Sequence, residues 1–127
     1  MTTTRLEHVN LTVSDGYATA AMLQDLFGWT VRWEGDTKDG GYSLHVGTDD
    51  HYLAIYTPKA ATRQAENSLV RDGGLNHIGF VVDDLDAIEA KVIARGLIPM
   101  NHGDYEPGKR FYFDDPDGIE FEVVSYA

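Results

Sequence analysis

The sequence has no cysteine. That absence excludes disulfides, thiolate metal ligands and cysteine nucleophiles. Basic residues are scarce: 10 Lys and Arg stand against 21 Asp and Glu, a net charge of −11. Binding along a phosphate backbone needs clustered Lys and Arg, so nucleic acid is not an expected partner. No apolar run approaches the roughly 18 residues that span a bilayer, and no membrane partner is expected either. Met1 to Leu6 shows no apolar stretch of a secretory signal; together with the missing disulfides this gives a cytoplasmic expectation. A phosphate-binding glycine loop and a serine nucleophile elbow are also missing, and Gly40-Gly41 and Gly73-Gly74 read as turns.

What is present is a globular composition, 43% hydrophobic over 127 residues, which suits one domain over 1–127 with a core of its own. The acid is spread over clusters at Asp36 to Asp39, Asp49-Asp50, Asp83-Asp84 and Asp114 to Asp117, which read as solvated turns. Beneath this lies an internal repeat. Leu6-Glu7-His8-Val9-Asn10-Leu11-Thr12-Val13 matches Leu75-Asn76-His77-Ile78-Gly79-Phe80-Val81-Val82 at a constant offset, 77 − 8 = 69. Both segments alternate and are rich in β-branched residues, so both predict strands. A helical stretch follows each, over 17–27 and 85–95, stopped by Gly28 and Gly96. Ser14 or Asp15, and Asp83 or Asp84, are the expected N-caps.

Three further strands are expected in each half, near 29–34, 41–47 and 51–57, then near 97–101, 109–114 and 119–125. The order β-α-β-β-β occurs twice, which is an α+β arrangement of two tandem βαβββ units around a cupped mixed sheet. Repeat one covers about 5–58, a linker with some helix about 59–74, and repeat two about 75–126.

Strand alternation assigns faces. Val9, Leu11, Val13, Ile78, Phe80, Val82, Leu44, Val46, Phe111, Phe113, Phe121 and Val123 are expected beneath the helices. The other face then collects His8, His45, His77, Tyr112, Glu120 and Glu122. Histidine and carboxylate lining a sheet interior need a partner, because unpaired polar groups there are costly. Two imidazoles and one carboxylate suit a divalent first-row metal and leave positions open for substrate. His8 and His77 are repeat-equivalent, Glu122 falls at a third convergent place, and Glu120, two residues away on the same face, is its alternative.

These segments, with Asp115-Pro116-Asp117-Gly118 leading to Glu122, resemble the vicinal oxygen chelate superfamily of glyoxalase I, extradiol dioxygenases, and fosfomycin- and bleomycin-resistance proteins. The resemblance implies that fold, and a metal held from the first and last strands of each unit. Here those positions are His8, residue 54, His77 and Glu122; since 122 − 68 = 54, the fourth is Ala54, which cannot ligate. His45, His51 and Tyr52 are near in sequence but not at the matching position. Three ligands resemble the extradiol dioxygenases and fosfomycin-resistance enzymes, implying Fe(II) or Mn(II) ahead of Zn or Ni. Tyr112 through Glu122 is similar to the dioxygenase signature, with His102 the nearest counterpart of its acid/base histidine and Tyr112 a donor to substrate oxygen.

The resemblance thus implies metal-dependent chemistry on a small molecule that chelates through vicinal oxygens, first of extradiol dioxygenase type. A glyoxalase-like lyase or a fosfomycin-type thiol transferase is the alternative, with Lys109 and Arg110 the adjacent basic pair available to a phosphonate. A non-catalytic drug-binding protein of bleomycin-resistance type is the third, with Trp29, Trp33, Tyr52, Tyr56 and Tyr112 as stacking surface. A homodimer is the expected assembly.

Overall fold

The computed structural model describes residues 3–60 and 68–127. The chain separates into two compact units, Met1–Arg63 and Gln64–Ala127, which correspond to the two repeats. The first holds β1 (His8–Thr12), α1 (Gly16–Phe27), β2 (Thr30–Asp36), β3 (Tyr42–Gly47) and β4 (Tyr52–Thr57). The second holds β5 (Ile78–Val81), α2 (Leu85–Ala94), β6 (Met100–Tyr105), β7 (Gly108–Asp114) and β8 (Glu120–Ser125). The α+β reading with tandem βαβββ units therefore holds. Residues 61–67 of the expected linker lie outside the described residues, and one 3-10 turn, Ser68–Val70, follows them.

Each unit folds its strands in the same order, β1-β4-β3-β2 and β5-β8-β7-β6. The first and last strands of a unit pair in parallel, and the remaining pairs are antiparallel. A parallel neighbour requires a crossover, and the helix is that crossover. Asp15 caps α1, its carboxylate accepting from the N–H groups of Tyr17 and Ala18, and Asp84 caps α2 by accepting from Ala87. Gly28 closes α1 in the left-handed conformation at φ 69°.

Side-chain size decides the two cores. The first packs Leu11, Val13, Leu23, Leu26, Leu44, Val46 and Ile55 between α1 and its sheet. Val9, expected in that core, is 37% exposed at the start of the strand. The second core is aromatic: Phe113 stacks on Phe121 at 5.3 Å, and Phe111 and Phe80 flank the pair. Truncating one such fully buried ring costs about 3–5 kcal/mol.

The turn before β8 sets where that strand begins. Asp115 Oδ1 accepts from the N–H groups of Asp117 and Ile119, each at 2.9 Å, and Gly118 adopts φ 81°. Burial, aided by the charges of Asp117 and Asp114, raises the Asp115 pKa from 3.8 to about 6 against the pull of those N–H donors. A folded-state pKa above the unfolded one favours the protonated form. The stabilisation is therefore complete below about pH 4 and is lost as pH rises through about 6. Asp115→Asn keeps an Oδ1 acceptor and removes the charge. Denaturant unfolding should show the variant more stable than wild type by about 1–3 kcal/mol at neutral pH, with the gain vanishing near pH 4. An equal gain at both pH values contradicts this account.

Candidate functional site

The polar residues of the second unit meet on the sheet face opposite α2. The register places Glu122 of β8 beside Tyr112 of β7 and Gly79 of β5. His77 stands two residues before Gly79 and points to the same face. Its Nε2 lies 3.0 Å from Glu122 Oε1. Arg110, two residues before Tyr112, donates from Nη1 to Glu122 Oε2 at 2.8 Å. Glu122 is only 8% exposed. Glu120 reaches His77 less closely, 3.9 Å from Nδ1. Tyr112 meets the His77 ring edge-on at 5.6 Å.

His77 is held at both ring nitrogens. Nδ1 sits 2.7 Å from Asn76 Oδ1, an acceptor that holds a hydrogen on Nδ1. With that hydrogen in place, Nε2 meets Glu122 Oε1 through a shared cation, either a second proton or a metal. An imidazole and a carboxylate so placed are two donors of the kind that divalent metals accept. Burial also tunes Tyr112: desolvation, then the Glu122 charge, raises its pKa, so its hydroxyl remains a donor at neutral pH. For Arg110, burial pulls downward, but Tyr105 and Glu122 more than offset it and the net shift is upward. Removing one member of such a buried pair costs about 3–5 kcal/mol, because the other charge is stranded.

The first unit repeats half of this arrangement. His8 Nδ1 lies 2.9 Å from Glu7 Oε1, as His77 Nδ1 lies beside Asn76. Since 76 − 7 = 69, Glu7 and Asn76 are repeat-equivalent, and each orients the histidine that follows it. Asn10 pairs with Ala54 as Gly79 pairs with Glu122, so Ala54 does occupy the Glu122 position of its unit. Rings fill the space around it. Tyr52 is sandwiched between His8 at 4.9 Å and His45 at 4.5 Å, Trp33 lies against His45, and Arg32 sits over Tyr52. His51 instead packs against Trp29. Burial, then the neighbouring His8 and Arg32, lowers the His45 pKa. Among the described residues, no group of three or more His, Asp or Glu side chains is gathered where it could hold a metal ion.

His102 is not brought to the face of Tyr112 and Glu122. Its Nε2 lies 2.8 Å from Glu89 Oε2 of α2, and its ring stacks on the buried Phe111 at 5.9 Å. The reason is an irregularity in β6. Met100 pairs with Tyr112, but the register shifts before Gly103 pairs with Arg110, and Asn101 adopts φ 52°. Regular pairing from Met100 would have put His102 opposite Arg110, on the face of Tyr112; the bulge turns it to the helix side. Lys109 and Arg110 also part: Lys109 is exposed near Asp104, whereas Arg110 is nearly buried. Sequence reasoning weighed Arg110 only as half of that pair. Its parity with Tyr112 was the available signal.

Comparison with known proteins places this geometry. The model of the Glyoxalase/Bleomycin resistance protein/Dioxygenase superfamily matches residues 5–123. The solved structure of SMU.1112c is 26% identical with a TM-score of 0.81, covering 95% of this chain and 98% of that one. A glyoxylase/bleomycin resistance protein/dioxygenase domain from Frankia sp. EAN1pec gives 0.82 at 19% identity, covering 98% of each. The fosfomycin resistance protein FosX of Listeria monocytogenes, in a complex with Mn(II) and 1S,2S-dihydroxypropylphosphonic acid, gives 0.73 at 20% identity, covering 97% of this chain and 93% of that one. A UPF0128 protein of Thermococcus kodakarensis is 31% identical over 83 residues, 65% of this chain, and that stretch spans 35% of the relative's length. The chain belongs to the Glyoxalase/Bleomycin resistance protein/Dioxygenase superfamily.

Proposed function

We propose that the chain is a divalent-metal enzyme for a small molecule that offers the metal two vicinal oxygens. His8, His77 and Glu122 are the proposed ligands, with His8 supplied by the same chain or by a partner copy. The observation that carries this reading is the pair formed by His77 Nε2 and Glu122 Oε1, an imidazole and a nearly buried carboxylate 3.0 Å apart. Two imidazoles and a carboxylate suit Fe(II) or Mn(II), with Zn and Ni as alternatives. FosX, a structural relative, holds Mn(II).

A bound metal supplies Lewis-acid polarisation of substrate oxygens. The protein's residues do the rest. Arg110 holds Glu122 Oε2 and leaves Oε1 to face His77. Asn76 and Glu7 fix the imidazole tautomers. Tyr112 keeps its proton and donates to a substrate oxygen. Alanine at 54 leaves three protein ligands, which disfavours the four-ligand glyoxalase pattern. Extradiol dioxygenase chemistry would draw on an acid/base histidine, and His102 is engaged by Glu89 on the helix side. That placement shifts the preference toward Lewis-acid lyase or transferase chemistry of the fosfomycin-resistance kind. A homodimer belongs to the same proposal, supported by Val81, 68% exposed on the face that carries Glu122.

Elemental analysis of wild type and His77→Ala, purified side by side, should find about one Fe or Mn per chain, lost in the variant. No metal in wild type, even after reconstitution with Fe, Mn, Zn and Ni, overturns the reading and leaves a drug- or metabolite-binding protein. Asn76→Ala should weaken metal affinity by about 10- to 100-fold in a chelator competition, since the imidazole loses its orienting partner. Unchanged affinity would remove Asn76 from the account.

A further inference from the structure

Arg110 uses one of its three nitrogens. Nη1 donates to Glu122, while Nε and Nη2 are buried and, among the described residues, have no partner within hydrogen-bond geometry. These two atoms form one edge of the guanidinium, with parallel N–H groups. Leaving such donors unpaired in a desolvated place is costly. The edge is the half of a fork that carboxylates match with two oxygens.

A ring covers the group. Tyr105 lies over the guanidinium, 4.9 Å from Cζ to the ring centroid. Its position depends on Gly103, the cross-strand partner of Arg110, where a Cβ would come within 2.5 Å of Tyr105 Cε1. Tyr105 itself is 60% exposed, so little protein holds it down. Its outward rotation is the evident way to open the edge.

We infer that the free Nε/Nη2 edge of Arg110 is a receptor for the carboxylate of a small organic acid, closed in the unliganded chain by Tyr105. The inference deepens the proposed function by naming a substrate class, and it rests on that reading only for the link to turnover. A monoanion suits the local charge better than a dianion, because Arg110 already faces one carboxylate in a chain of net charge −11. Tyr112, two residues along the same face, lines the approach with a second hydroxyl-bearing ring.

The test titrates sodium propionate into the full chain, loaded with Zn(II) and again after chelation. It follows the Arg110 Nε–H resonance and neighbouring backbone amides by NMR. Sodium chloride at matched ionic strength and methylphosphonate are the comparison arms. The Arg110 signal should shift saturably with propionate, in both metal states, and not with chloride. Arg110→Lys keeps the charge and loses the fork, and should bind propionate about tenfold more weakly. Tyr105→Ala should bind it more tightly. If Arg110→Lys does not fold, Tyr105→Ala decides: tighter binding supports the receptor, and unchanged or weaker binding overturns it. A shift no different from that of chloride in wild type also overturns it, and tighter binding of methylphosphonate overturns the carboxylate assignment. Propionate binding and metal retention are separate readouts, so failure of one leaves the other standing.

Discussion

Glu122 is a carboxylate that the fold has taken almost wholly out of water, and the second unit's polar face is arranged around that fact. A buried charge without partners is unfavourable by several kcal/mol. Two neighbours of different kind relieve it. Arg110 holds Oε2 with a permanent positive charge, and His77 presents a nitrogen to Oε1. The first contact keeps Glu122 aimed. The second brings Nε2 and Oε1 to 3.0 Å, a gap that a proton or a metal closes, and this local demand underlies the metal proposal.

Parallel pairing of the first and last strands makes the meeting geometrically unavoidable. With β5 beside β8 in the observed register, Gly79 stands next to Glu122, and His77 reaches the same oxygen from the strand's start. The first unit has the same pairing and register, yet alanine stands at 54 and stacked rings take up the space. Two units of one plan have thus taken different jobs: one supplies a charged, oriented carboxylate, and the other supplies an oriented histidine against an aromatic ladder.

Much of this was readable from the sequence. The 69-residue offset between His8 and His77 located both units; that Glu7 and Asn76, which obey it too, contact the histidines emerges only from the structure. Aspartate caps and glycine stops placed both helices nearly to the residue. Ala54 was correctly matched to Glu122 by arithmetic that the strand register repeats. The failures have local causes. The expectation for His102 rests on the resemblance to the dioxygenase signature; a bulge at Asn101 turns it to the helix side, and nothing in Met100-Asn101-His102-Gly103 announces that bulge beyond the glycine itself. Arg110 was missed because a basic residue at a strand start ordinarily lies in water. Only the pairing of β7 with β8 shows that it lies near a buried acid.

The central claim is that Glu122 gives one oxygen to Arg110 and turns the other, with His77, toward a metal. A crystal structure of the Mn(II)-loaded protein, with data collected on both sides of the manganese absorption edge, tests it most directly. The account predicts an anomalous peak bonded to Glu122 Oε1 and to Nε2 of His77 and His8, with Arg110 still on Oε2 and the Nδ1 atoms still on Asn76 and Glu7. A metal bound elsewhere, or a Glu122 that leaves Arg110 to reach it, would contradict the account.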